Sequence, residues 1–188
     1  MFFVALVGCG QVPAAVQFAG DEKVTVYGTD AVAVQAATVN DKDGKALDKQ
    51  PELKWTVSDE AVAKLEGDKL TPLKSGNAMV KACATDTVCK EYTFVVALPE
   101  KVVVGGNEGV EWKVGATANL TAKVMSGETE VPNQTLAWAS DNTAVVTVDD
   151  KGMVTAVAPG TANVTATAGA LNAAVALTIV DAAAAPTN

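Results

Sequence analysis

Two stretches of this chain are spelled to one plan. LKWTVSDEAVAKLEGDKLTPLKSGNAMVKAC begins at Leu53, and LAWASDNTAVVTVDDKGMVTAVAPGTANVTATAGALNAAVALTIV runs from Leu136 to Val180. Trp55 answers Trp138, Val62 answers Val145, Gly76 answers Gly160, and Val80 and Ala82 answer Val164 and Ala166. The offset is 83 residues at the Trp pair and 84 at the Gly pair, so the copies differ by one residue in the turn between. Within each copy, short alternating apolar runs are broken by turn residues such as Asp141-Asn142, Lys151-Gly152 and Pro159-Gly160. A strand-period pattern that recurs at about 80 residues predicts two copies of one β domain in tandem. The expected fold class is all-β, with two tandem β-sandwich domains.

Composition agrees with thin sandwiches. Hydrophobic residues make up 49% of the 188 residues and aromatics only 5%, so Val and Ala must fill the cores. The net charge is −8, and the chain contains neither Arg nor His. Without guanidinium groups, bidentate recognition of phosphate or guanine is closed, and nucleic acid is not an expected partner. Without imidazole, the commonest general base and metal ligand is missing, which argues against an enzyme.

The chain opens with MFFVALVGC, an apolar run ending Leu6-Val7-Gly8-Cys9. This resembles the bacterial lipobox, in which a small residue precedes a Cys that is acylated on sulfur and becomes the mature N-terminus. The resemblance implies lipidation at Cys9 and a membrane contact through that anchor. Gly10, where the sorting rule would place Asp for inner-membrane retention, implies transfer to the outer membrane. The run departs from a full signal in lacking a basic segment and in its brevity. A frayed apolar N-terminus or an extra strand is the other reading. Residues 1–22 as a whole are expected to be this apolar segment and a tether.

Domain 1 is expected over 23–98, with strands starting at Lys23, Ala31, Leu53, Ala61, Leu70, Ala78 and Tyr92. Domain 2 is expected over 99–181, with Ala118, Leu120, Ala122 and Val124 alternating along one strand. Residues 182–188, AAAAPTN, read as a low-complexity tail. Cys83 and Cys89 flank Ala-Thr-Asp-Thr-Val, a spacing that suits a bridge across a hairpin. A disulfide there implies an oxidising compartment and leaves Cys9 as the odd cysteine. Two reduced thiols at a hairpin tip are the alternative.

WASDNTAVVTVDDKGMVTAVAPGTANVTAT is similar to the bacterial Ig-like domain of group 2, whose pattern Trp138, Ser140, Val145, Val148, Gly152, Val154, Thr155, Ala156, Gly160, Thr161, Ala162, Val164 and Ala166 fill. The first copy is more divergent, with Leu70-Thr71-Pro72-Leu73 and Asn77 at the matching positions. The resemblance implies an Ig-like β-sandwich of the kind used in bacterial surface proteins, adhesins and phage virions as a spacer or binding module. It brings no catalytic residues and no cofactor.

Three features are candidate sites. Trp112 is a candidate partner-binding aromatic, set against inward alternation with Val110 and Val114. The acidic turns Asp59-Glu60, Glu66-Asp68, Asp141-Asn142 and Asp149-Asp150 offer oxygens for Ca²⁺, but no D-x-D-x-D-G loop is present, so no metal is expected. Exposed edge strands offer strand addition to a protein partner. The function expected is a non-enzymatic envelope or cell-surface lipoprotein using its two modules as a spacer or adhesive arm, toward an unknown protein or surface glycan. The alternative is a structural assembly subunit, a virion decoration protein or a component of an extracellular filament.

Overall fold

The computed structural model describes residues 11–106 and 112–181, all in strands, turns and loops. The chain divides into two compact units, residues 1–97 and 98–188.

In unit 1 the strands are β1 (Ala15–Phe18), β2 (Lys23–Val26), β3 (Val32–Ala33), β4 (Ala37–Asn40), β5 (Lys54–Val57), β6 (Ala63–Glu66), β7 (Lys69–Pro72), β8 (Gly76–Cys83) and β9 (Cys89–Val96). They form a four-stranded sheet β2-β9-β8-β5, a three-stranded sheet β3-β7-β6 and the pair β1-β4. β2 runs parallel to β9, and every other pairing is antiparallel. In β8, Ala78, Val80 and Ala82 are buried; in β9, so are Tyr92, Phe94 and Val96. Period-two alternation therefore sets the inner face.

Within the expected tether, Ala15–Phe18 form a strand. Val16 and Phe18 alternate inward from β1 and are buried. The Phe18 ring lies 6.0 Å from Trp55 in a stacked arrangement and 5.1 Å from Tyr92 edge-on. Aromatic contacts of this geometry contribute beyond the apolar area they bury, and the segment belongs to the core of unit 1.

In unit 2 the strands are β10 (Lys101–Gly105), β11 (Thr117–Asn119), β12 (Thr121–Ser126), β13 (Thr129–Glu130), β14 (Ala137–Ser140), β15 (Val146–Val148), β16 (Met153–Ala156), β17 (Gly160–Ala168) and β18 (Leu171–Ile179). They form the sheets β10-β12-β13, β11-β16-β15 and β14-β17-β18. The single strand expected through Ala118, Leu120, Ala122 and Val124 is broken at Leu120: β11 pairs with β16, whereas β12 pairs with β10. The strand expected from Ala31 divides in the same way, β3 joining β7 and β4 joining β1. A strand that changes sheets lets two thin layers share one core, and at Leu120 alternation alone does not reveal the switch.

The matching residues of the two units do the same work. Val62 and Val145 each accept backbone N–H bonds from the turn ahead of the next long strand, Leu73 at 2.9 Å and Val157 at 2.8 Å. A Cβ built on Gly76 would fall 2.9 Å from the Val62 side chain, and one on Gly160 would fall 3.0 Å from Val145. Both glycines have positive φ, 156° and 145°. The valine–glycine pairs therefore mark a close approach that only a missing side chain permits.

Candidate functional site

The cysteines come first. Cys83 and Cys89 lie directly opposite each other at the end of the β8–β9 pairing and are joined in a disulfide, with Cα atoms 4.1 Å apart. The tip between them is tied by Thr85, whose hydroxyl accepts the N–H of Val88 at 3.0 Å. The bridge thus closes a turn that already has its own hydrogen bonds. Cys9 lies outside the described residues.

Trp112 is 7% exposed and packs among Leu120, Val146, Val154, Leu177 and Ile179. Its carbonyl accepts the N–H of Val180 at 2.9 Å, which pins its backbone beside the end of β18. A platform for a partner needs an open ring face. The expectation of a partner-binding aromatic at Trp112 is therefore corrected: the ring is a core residue of unit 2.

The acidic turns are engaged by the backbone. The Asp59 carboxylate accepts the N–H of Ala61 at 2.9 Å, and that of Asp149 accepts the N–H groups of Lys151 and Met153 at 2.9 and 2.8 Å. Asp141 accepts both the backbone N–H and the side-chain amide of Asn163, at 2.8 and 2.7 Å. These donors, the backbone N–H foremost, hold the Asp141 carboxyl below its ordinary range. Unit 1 performs the same join with a neutral group, the Ser58 hydroxyl accepting the Met79 N–H at 2.8 Å. Glu66 pairs with Lys64 at 2.7 Å on the surface. Among the described residues no three carboxylate or thiol groups converge as a cation would require. A hollow lined by residues 11–14 and 41–43 offers Asp41 and Asp43, of which Asp41 already accepts the N–H groups of Asp43 and Lys45.

Unit 2 also presents an uncharged polar surface. The outer side of the β14-β17-β18 sheet presents Thr161, Asn163, Thr165, Thr167, Asn172 and Thr178, interleaved with alanines. The corresponding side of unit 1 carries Lys23, Lys54, Lys81 and Glu91. The signal was available in sequence as a run without charge from Leu171 to Val180.

Comparison with known proteins fits this geometry. Residues 107–179 match the model of the bacterial Ig-like domain (group 2). The matched residues lie within unit 2. Over 84 residues the chain is 45% identical to lacto-N-biosidase of Bifidobacterium bifidum, a match that covers 42% of this chain and 7% of that protein. The chain thus spans a small part of the curated relative it matches. Domains 4–9 of the surface layer protein SbsC superpose with a TM-score of 0.52 at 21% identity, covering 94% of this chain and 31% of that one. The Yersinia pseudotuberculosis adhesin InvE aligns over 92% of this chain and 61% of its own, with 17% identity and a TM-score of 0.37. The fold is all-β and Ig-like, as the sequence pattern implied.

Proposed function

We propose that the chain is a non-catalytic, extracytoplasmic arm built from two repeats of one Ig-like module and held to the bacterial envelope by a lipid on Cys9. The observation that carries this reading is the Cys83–Cys89 disulfide at a partly exposed hairpin tip. A bridge so placed persists only where the surroundings are oxidising, outside the reducing cytosol. Of the three cysteines it leaves Cys9, the residue that closes the lipobox-like run, for acylation. The modules themselves would act as a spacer or adhesive surface. The carboxylates of Asp59, Asp141 and Asp149 are engaged by backbone N–H groups, and the likeness to a short part of a much longer enzyme is support for a portable module rather than for that enzyme's activity.

Labelling of intact cells tests this. An antibody or a membrane-impermeant amine reagent is expected to reach unit 2 on whole cells of the native host. Cys9→Ser is expected to abolish retention in the membrane fraction while leaving the protein folded. Labelling that requires lysis, or a Cys9→Ser protein that still sediments with membranes, contradicts the reading. The alternative, an assembly subunit of a virion or extracellular filament with residues 1–22 as its arm, finds no support in β1, because Val16 and Phe18 are committed to the unit 1 core.

A further inference from the structure

The two units differ sharply along one matching edge. In unit 1, β2 covers the outer side of β9 at residues 93–96, and the stretch left over, Cys89–Tyr92, carries Lys90 and Glu91. Charges on an edge strand discourage pairing with another chain. The strand in the same place in unit 2 is β18, the outer strand of its sheet. It pairs with β17 at all nine residues without a bulge, and its sequence, LNAAVALTI, contains no charge and no proline. Among the described residues, the pairing on its outer side is the bridge between Lys113 and Val180, beyond the strand's end.

Backbone orientation can be read from the hydrogen bonds. The N–H and carbonyl of Asn163 face Asp141, so neighbouring Val164 faces its partner Val175 in β18. Alternation then turns the N–H and carbonyl of Asn172 and Ala174 away from the sheet. Val180, of the same parity, does face outward, since its N–H donates to Trp112. By correspondence with unit 1, where pairing begins at Thr93, Leu171–Val175 is the half of the edge without a backbone hydrogen-bond partner among the described residues, with β10 lying close alongside it.

We propose that Leu171–Val175 is an association edge whose occupant is the same strand of a second copy of this chain, paired antiparallel about a two-fold axis at Ala173. Asn172 of each copy then lies opposite Ala174 of the other, and the outward N–H and carbonyl groups of both residues are satisfied. The strip is its own complement. Two chains of net charge −8 meet where neither carries a charge, with small side chains in opposition. A foreign peptide adding to an edge gains specificity from pockets for its alternate side chains, and a face of Thr, Asn and Ala supplies none. The inference is independent of the lipid anchor.

Sedimentation velocity of the full chain over a wide concentration range, in a Cys9→Ser background that precludes intermolecular disulfides, reads the association. The unsubstituted strand is expected to give a concentration-dependent dimer. The pair Asn172→Lys with Ala174→Lys sets like charges opposite each other at both crossings and is expected to weaken the dimer by roughly tenfold or more. Asn172→Lys with Ala174→Glu sets opposite charges there and is expected to retain it. Ala174→Pro removes an outward N–H and is expected to abolish it. Thermal unfolding of each variant separates loss of pairing from loss of fold. A chain that stays monomeric at every concentration overturns the proposal, as does one that pairs only with another protein. So does a dimer that the two lysines leave intact, or one that both charge pairs weaken equally.

Discussion

At Gly152 the backbone adopts φ of +82°, and an added Cβ would fall 2.6 Å from the Leu120 carbonyl oxygen and 3.0 Å from the Trp138 ring. Neither neighbour yields easily: one is main chain at the point where a strand changes sheets, the other a large ring. Gly152→Ala is expected to cost more than about 2 kcal/mol, backbone strain and overlap together, seen as a lower urea midpoint with loss of amide protection in unit 2. Trp112→Ala empties a buried aromatic site and is expected to cost about 3–5 kcal/mol by the same measurement. Small effects there would contradict its placement in the core. Asp141 carries a pH dependence of definite sign. Its folded pKa lies below the ordinary value because Asn163 donates two hydrogen bonds to the carboxylate. Its contribution is therefore complete above the unfolded-state pKa and is lost as pH falls through the folded one. Asp141→Asn is expected to flatten the fall in unfolding midpoint on acidification below about pH 4. An unchanged acid profile would contradict that role.

Among the elements, β1 is the one whose placement departs furthest from its local sequence. GQVPAAVQFAG has no clean period, and only Val16 and Phe18, two residues apart, hint at a strand. What fixes it is tertiary: the pairing with β4 and the contacts of the Phe18 ring with Trp55 and Tyr92. Phe18→Ala is expected to destabilise unit 1 by about 3–5 kcal/mol, measured by chemical denaturation. A change near zero would restore the tether reading. The long strands were legible because β8, β9 and β17 alternate strictly, and the hairpin cysteines were legible from their spacing. The split at Leu120 was not, since both halves keep the same alternation while changing partners. Between β3 and β4 the inward parity does shift, from Val32 and Val34 to Ala37 and Val39, and that shift was the available signal. Trp112 carried two readings, and its burial agrees with inward alternation beside Val114. Its type suggests a binding platform, whereas its burial is set by the Val180 bond and the core around Leu120. The disulfide closes a short loop, so reduction is expected to lower the stability of unit 1 by at most about 2–3 kcal/mol, checked by thermal melts with and without reductant.

For the molecule as a whole, the Ig-like frame explains how few aromatics suffice. Valine and alanine fill the space between thin sheets, while aspartate, serine and glycine secure the same turns in both units. Function on such a frame is set by the sites grafted onto it rather than by the fold. The most direct measurement is therefore the intact mass of the protein from its native source, with membrane and soluble fractions kept apart. The account predicts a membrane-fraction species that lacks residues 1–8, carries acyl chains on Cys9 and keeps Cys83 and Cys89 bridged until reduced. A soluble species that retains Met1, with both hairpin thiols free to alkylate, would contradict it.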